Sequence, residues 1–173
     1  MPHIASLRLT LIAFLSAVSA LVAVHAHGIA SEPITIGIAE IDYKDTSGES
    51  QDQQAAHAIR AKHFAEALRR DLGASGKYKI VMLDCGKDQC SAESQIPEDL
   101  IAAAKKAGAR LLVYGGVHKM STLVQNMKAQ VVDVTADRLV LDRLITFRGD
   151  SDNSWKRAED FLAKQLLEQP LAE

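Results

Sequence analysis

Two hydrophobic periods alternate along this chain. Residues 34–43, ITIGIAEIDY, form a β-branched apolar run bounded by Pro33 and the polar KDTSGES, which predicts a buried strand. Residues 51–72 then switch to helical spacing, with Ala58, Ala61, Phe64 or Ala65, Leu68 and Leu72 on one apolar stripe. GASG ends that helix, glycine supplying the left-handed conformation that closes one. YKIVMLD (78–84) predicts a second strand. PEDLIAAAKKAG (97–108) predicts a short helix, with Pro97 in its first turn and Gly108 at its end. RLLVYGGV (110–117) predicts a third strand.

The pattern changes after residue 120. LVQNMKAQVVDV (123–134) and RLVLDRLITF (138–147) read as two long strands around the tight turn 135–137. Leu139, Leu141, Ile145 and Phe147 alternate with polar or smaller residues, as in a sheet with one packed face. WKRAEDFLAKQLLEQ (155–169) closes the chain as a helix presenting Trp155, Ala158, Leu162 and Leu166 to the core. The order β-α-β-α-β-β-β-α predicts the α/β class: a mixed sheet of about five strands with helices packed on it. Helical crossovers make strands one to three parallel, and the short turns make strands three to five an antiparallel meander. One rim therefore collects the polar clusters Asp42 to Glu49, Asp84 to Cys90, His118 to Ser121 and Arg148 to Asp152. Open α/β sheets bind ligands at such carboxyl ends.

The amino-terminal segment changes the compartment. Residues 9–24, LTLIAFLSAVSALVAV, form an apolar run preceded by a single cation, Arg8, and Val24-His25-Ala26 offers a small-x-small cleavage step. That is the pattern of a secretory signal peptide over residues 1–26, with Ala30 as the other candidate cleavage position. The rival reading is an uncleaved anchor, but the run is shorter than the ~20 apolar residues a bilayer core needs. The membrane is then met only in transit, and the destination is the periplasm. Residues 27–173 suffice for one α/β domain. Losing Arg8 takes the 20 Lys and Arg to 19, against 22 Asp and Glu, a net charge of −3. Interspersed charges of that balance exclude the basic footprint of a nucleic-acid binder and a polybasic membrane patch.

Motifs for chemistry fail on inspection, and no catalytic residue, metal or cofactor is assigned. DTSG (45–48) has Ser47 where the aspartic-protease loop requires glycine. GASGK (73–77) lacks the first glycine of a phosphate loop and follows a helix rather than a strand. DSDNS (150–154) opens like a calcium loop, but Trp155 holds the glycine position and Phe161 that of the bidentate glutamate. Cys85 and Cys90 predict a disulfide in an oxidising compartment, with free thiols and metal or redox work as alternatives. His57 and His63 lie six apart, on different faces of a helix.

The stretch FRGDSDNSW (147–155) admits two readings. In one, Gly149 turns the chain, one of Ser151, Asp152 or Ser154 caps the last helix, and Trp155 anchors it. In the other, Arg148 and Lys119 offer donors across the rim to an anionic or peptide partner.

Residues 108–158, with ITIGIAEIDYKDTS near the start, resemble an uncharacterised exported bacterial family, a domain of unknown function. Its pattern carries a G-A-D-x-x-x-x-G strand, a K-V-S-N-L turn and R-G-N-T-D-E-S-W before the last helix. Gly108, Ala109, Lys119, Ser121, Leu123, Arg148, Gly149, Asp152, Ser154 and Trp155 match it. Arg110, Met120, Thr122 and His118 depart from it. The element order is also similar to the amino-terminal domain of TolB and to CsgG-type envelope modules, which implies assembly rather than catalysis. The expectation is a non-catalytic periplasmic module that binds an envelope protein or peptide, with Lys119, Ser121, Arg148, Asp150 and Asp152 as contacts and Gly149 and Trp155 as structural anchors. The alternative is a small hydrolase or transferase using Asp42, Asp45, His118 and Lys119.

Overall fold

The computed structural model describes residues 32–172. The predicted leader and both cleavage positions lie outside the described residues. The elements follow as β1 (Ile34–Asp45), α1 (Gln54–Ala74), β2 (Tyr78–Val81), α2 (Pro97–Lys106), β3 (Leu111–Lys119), β4 (Val124–Asp133), β5 (Arg138–Arg148) and α3 (Asp152–Glu168). The predicted order is the observed one. The strands form one mixed sheet in the order β2-β1-β3-β4-β5, with β1 parallel to both β2 and β3 and the last three antiparallel.

Helices α1 and α3 cover one face of this sheet. Between them lies the main core, in which Ile36, Ile38, Val113, Met127 and Leu141 meet Phe64, Leu68, Trp155 and Leu162. The other face carries α2 over a smaller cluster of Ala39, Leu100, Ala104, Leu112 and Val132. Close packing fixes Gly115 of β3: a Cβ there would stand 1.9 Å from the Lys128 carbonyl oxygen of β4, so only hydrogen fits. Cys85 and Cys90 are joined, and the Cys90 carbonyl accepts from the Glu40 N–H at 2.8 Å, which ties that loop to β1.

Four local expectations need correction. The buried stripe of α1 begins at His57, while Ala58 faces outward, because a polar cluster gives the His57 ring a partner inside. β2 stops at Val81 rather than 84, leaving Met82 68% exposed as the chain turns off the sheet edge. Leu139 is 47% exposed: a register shift opposite Val131 and Val132 breaks the alternation, so Leu139 leaves the face that Leu141 keeps. α3 starts at Asp152, three residues early, since Ser151 caps it by accepting from the Ser154 N–H.

Candidate functional site

The rim at the carboxyl ends of β1 and β3 is built around two side chains. Lys119 is the last residue of β3, and its odd position puts it on the face that α1 and α3 cover. Its side chain is 1% exposed. The ammonium donates to Asp150 Oδ2 at 2.8 Å, to Gln53 Oε1 at 3.1 Å and to the Glu49 carboxylate, with Asp45 Oδ2 at 3.9 Å. A lysine buried at this level needs such partners, because an unpaired charge out of water is costly.

Asp150 gathers the other half. Its Oδ1 accepts from Arg60 at 3.0 Å and from the Gln125 amide at 3.2 Å, and His57 Nε2 stands 2.8 Å from both carboxylate oxygens. An ionised carboxylate can only accept, so a hydrogen bond between the two has the His57 Nε2–H donating. The His57 ring is fully buried and stacks on Tyr43, with centroids 4.3 Å apart and planes 13° off parallel. Trp155 closes the aromatic floor against Tyr43, His57, Phe64 and Phe147, at 5.8 to 6.5 Å between centroids. The polar cluster thus sits on an aromatic base.

The charges follow from this packing. Burial pushes the Asp150 carboxyl up, but hydrogen bonds from Lys119 and His57 and their charges outweigh it and hold the group below the ordinary carboxylate value. Burial likewise presses Lys119 down, and bonds to Asp150 and Glu49 carry it above the ordinary lysine value. Glu49 is lowered by its bonds to Lys119 and Thr122. Tyr43 is driven up by burial and by the charges of Asp45 and Asp150, so its hydroxyl stays protonated.

The two motifs of the sequence meet here. The Ser121 hydroxyl accepts from the Val124 N–H at 3.2 Å and shapes the β3–β4 turn. The Leu123 carbonyl accepts from the Gly149 N–H at 2.9 Å, and the Gly149 carbonyl accepts from Gln125 at 3.0 Å. Gly149 has φ +91°, a conformation that favours glycine, and a Cβ there would also push the Ser154 hydroxyl from its place 2.8 Å away. Asp152 is 90% exposed and accepts from Arg60 Nε at 2.8 Å. Arg148 is exposed and pairs in register with Val124.

Lys119 therefore does not extend to solvent as a donor for a partner. Its position on the packed face and its three acidic neighbours turn it inward. The four residues of the enzymatic alternative do not converge either. Asp45 and Lys119 share the α1/α3 side, whereas Asp42 pairs with Gly116 and Lys44 with His118, the other phase of the sheet. Asp42 accepts from the Glu93 N–H at 3.0 Å, and His118 Nε2 meets Thr46 Oγ1 at 2.7 Å. Sequence reasoning placed Glu49 on the rim without a role and missed Gln53, His57, Arg60 and Gln125 as members of the cluster. The one available signal was His57 heading an otherwise apolar helical stripe.

The sequence model of a family described as "Protein of unknown function (DUF2380)" matches residues 35–167, nearly the whole described chain. The protein belongs to this family. No curated protein matches its sequence. Among solved structures, the hypothetical protein CT253 from Chlamydia trachomatis superposes with a TM-score of 0.55 at 11% identity, over 78% of this chain and 95% of that one. The LpoB C-terminal domain from Salmonella enterica gives 0.45 at 14% identity, over 70% and 86%. TolB from Acinetobacter baumannii gives 0.47 at 15%, over 78% of this chain and 27% of that one. At such identities CT253 shares the fold, and nothing about activity follows from it.

Proposed function

We propose that this family member is a non-catalytic module, exported to the periplasm, that binds an envelope protein or peptide through its rim. One observation carries the reading. The sheet order places the topological switch point between β1 and β3, where open α/β sheets receive ligands. Here the Lys119 ammonium and its acids fill that position from within. A switch point filled by its own ion pairs holds the rim rigid and leaves a partner its outer edge to bind.

What remains outward is a small surface. Met120 and Leu123 of the β3–β4 turn are 51% and 64% exposed, and Arg148 stands beside them at the end of β5. Two apolar side chains next to a guanidinium suit an extended segment that carries an acidic group among apolar ones. The leader pattern of residues 9–24 supports export, and the Cys85–Cys90 bridge fits an oxidising compartment. The correspondence of the Lys119-Ser121-Leu123 and Arg148-to-Trp155 motifs, and the CsgG-type kinship, belong to the same proposal.

The test is capture from envelope extracts by the mature protein, beside Leu123→Asp and Arg148→Ala. Wild type should retain a defined partner that both variants lose while melting at the wild-type midpoint. Identical capture by all three would remove the rim from the account.

A further inference from the structure

On the flank away from the rim, α1 and α3 bring three carboxylates together. Asp71, Glu159 and Asp160 each offer an oxygen, and these oxygens lie within 4.8 Å of one another. Glu159 is the unusual member. It is 1% exposed, and neither of its oxygens has a hydrogen-bond partner among the described residues. A buried carboxylate is ordinarily paired or bound to a metal, since leaving it bare costs more than almost any other side-chain placement. The neighbouring cations pair with the other two acids: Arg70 bonds Asp71 at 2.8 Å and Lys156 bonds Asp160 at 2.6 Å. Both pairs are surface pairs of the kind that contribute little and yield easily. Glu159 is the acid left without a partner.

We propose that Asp71, Glu159 and Asp160 form a calcium site bridging α1 and α3. All three donors are hard oxygens, which favours calcium, magnesium or manganese over zinc or copper. Calcium accepts irregular sets of carboxylate oxygens at about 2.3–2.6 Å, whereas magnesium demands a near-ideal octahedron at about 2.1 Å, so side chains gathered from two helices suit calcium better. With both oxygens unpaired, Glu159 can chelate bidentately, and Asp71 and Asp160 close the solvent side. A cavity of about 330 Å³ opens beside Glu159, lined also by Trp155, Phe64, Arg60, Arg70 and Lys156. The ion would lock α3 to α1, the helix that carries His57 and Arg60 of the rim cluster.

The chain's only tryptophan makes the test direct. Trp155 and Glu159 lie one helical turn apart on the same face. Terbium, a calcium mimic, bound at Glu159 should emit by energy transfer when Trp155 is excited. Wild type should give saturable emission that calcium displaces at lower concentration than magnesium. Glu159→Gln, which keeps the shape and removes the charge, should weaken terbium binding by about ten-fold or more, and so should Asp71→Asn. Glu159→Gln without metal should melt no lower than metal-free wild type, which separates lost binding from lost folding. Absence of saturable emission in wild type, or equal emission from wild type and Glu159→Gln, would overturn the site.

Discussion

Lys119 Nζ stands 2.8 Å from Asp150 Oδ2, joining two turns 31 residues apart in sequence. The first turn leaves β3 and the second enters α3, so one ion pair fixes the end of the sheet to the start of the last helix. The pair is buried, and its energetics follow from that. Lys119 keeps Glu49 and Asp150 keeps Arg60 and His57 when the other is truncated, so the loss should fall below the about 3–5 kcal/mol of an isolated buried pair. Lys119→Ala and Asp150→Ala should each lower stability by about 1–3 kcal/mol in denaturant melts. The double variant should lose less than the sum, because the second truncation no longer breaks the bond that the first removed. Strictly additive losses would mean that the two groups act independently.

The same pair sets a pH window. Asp150 has its folded value lowered, so its contribution is fully present above the unfolded carboxylate value near 4 and is lost as pH falls through the folded one. Lys119 is raised, so its contribution is present below about 10.4 and is lost as pH rises through its folded value. Melting midpoints should therefore show a plateau with an acid limb below about pH 4 and an alkaline limb above about pH 10. Asp150→Asn should flatten the acid limb while lowering the plateau. An unchanged acid limb in that variant would assign the acid loss to other carboxylates.

The disulfide closes a short loop, with Cys85 and Cys90 five positions apart. Chain-entropy arithmetic for so short a loop gives about 2 kcal/mol. Thiol labelling of denatured, unreduced, exported protein should find no free cysteine, and Cys85→Ser/Cys90→Ser should melt lower by about that amount. Two labelled thiols in the exported protein would contradict the bridge.

Element order was legible because each periodic segment buries one face and the glycines and prolines punctuate it. The rim was legible too, since crossovers and short turns dictate which strand ends lie together. The direction of Lys119 was not. Its polar neighbours in sequence, His118 and Ser121, read as a solvated turn, and only the register of Lys119 with Asp45 shows it on the packed face. His57 and Gln125 were illegible for a related reason. Each partners a residue far away in sequence, 93 positions for His57 and 25 for Gln125 with Asp150, and a single chain carries no local sign of such pairing. Leu139 escaped because a bulge shifts strand phase without altering composition.

The stretch FRGDSDNSW can now be divided residue by residue. Trp155 is 3% exposed and touches four other rings, so it is the anchor of α3 and the floor beneath His57. Trp155→Ala should cost roughly 3–5 kcal/mol by cavity formation and lost burial. It should also loosen the His57–Asp150 contact, which amide exchange at residues 57 and 150 would report. Arg148 is exposed at the end of β5, and Arg148→Ala should change stability by no more than about 0.5 kcal/mol. Its effect should fall on capture of the envelope partner alone. Asp150 lies between these two and belongs with the anchor, since four side chains converge on it. A large loss of stability in Arg148→Ala would place that residue in the frame as well, and the proposed contact surface would then lose its cation.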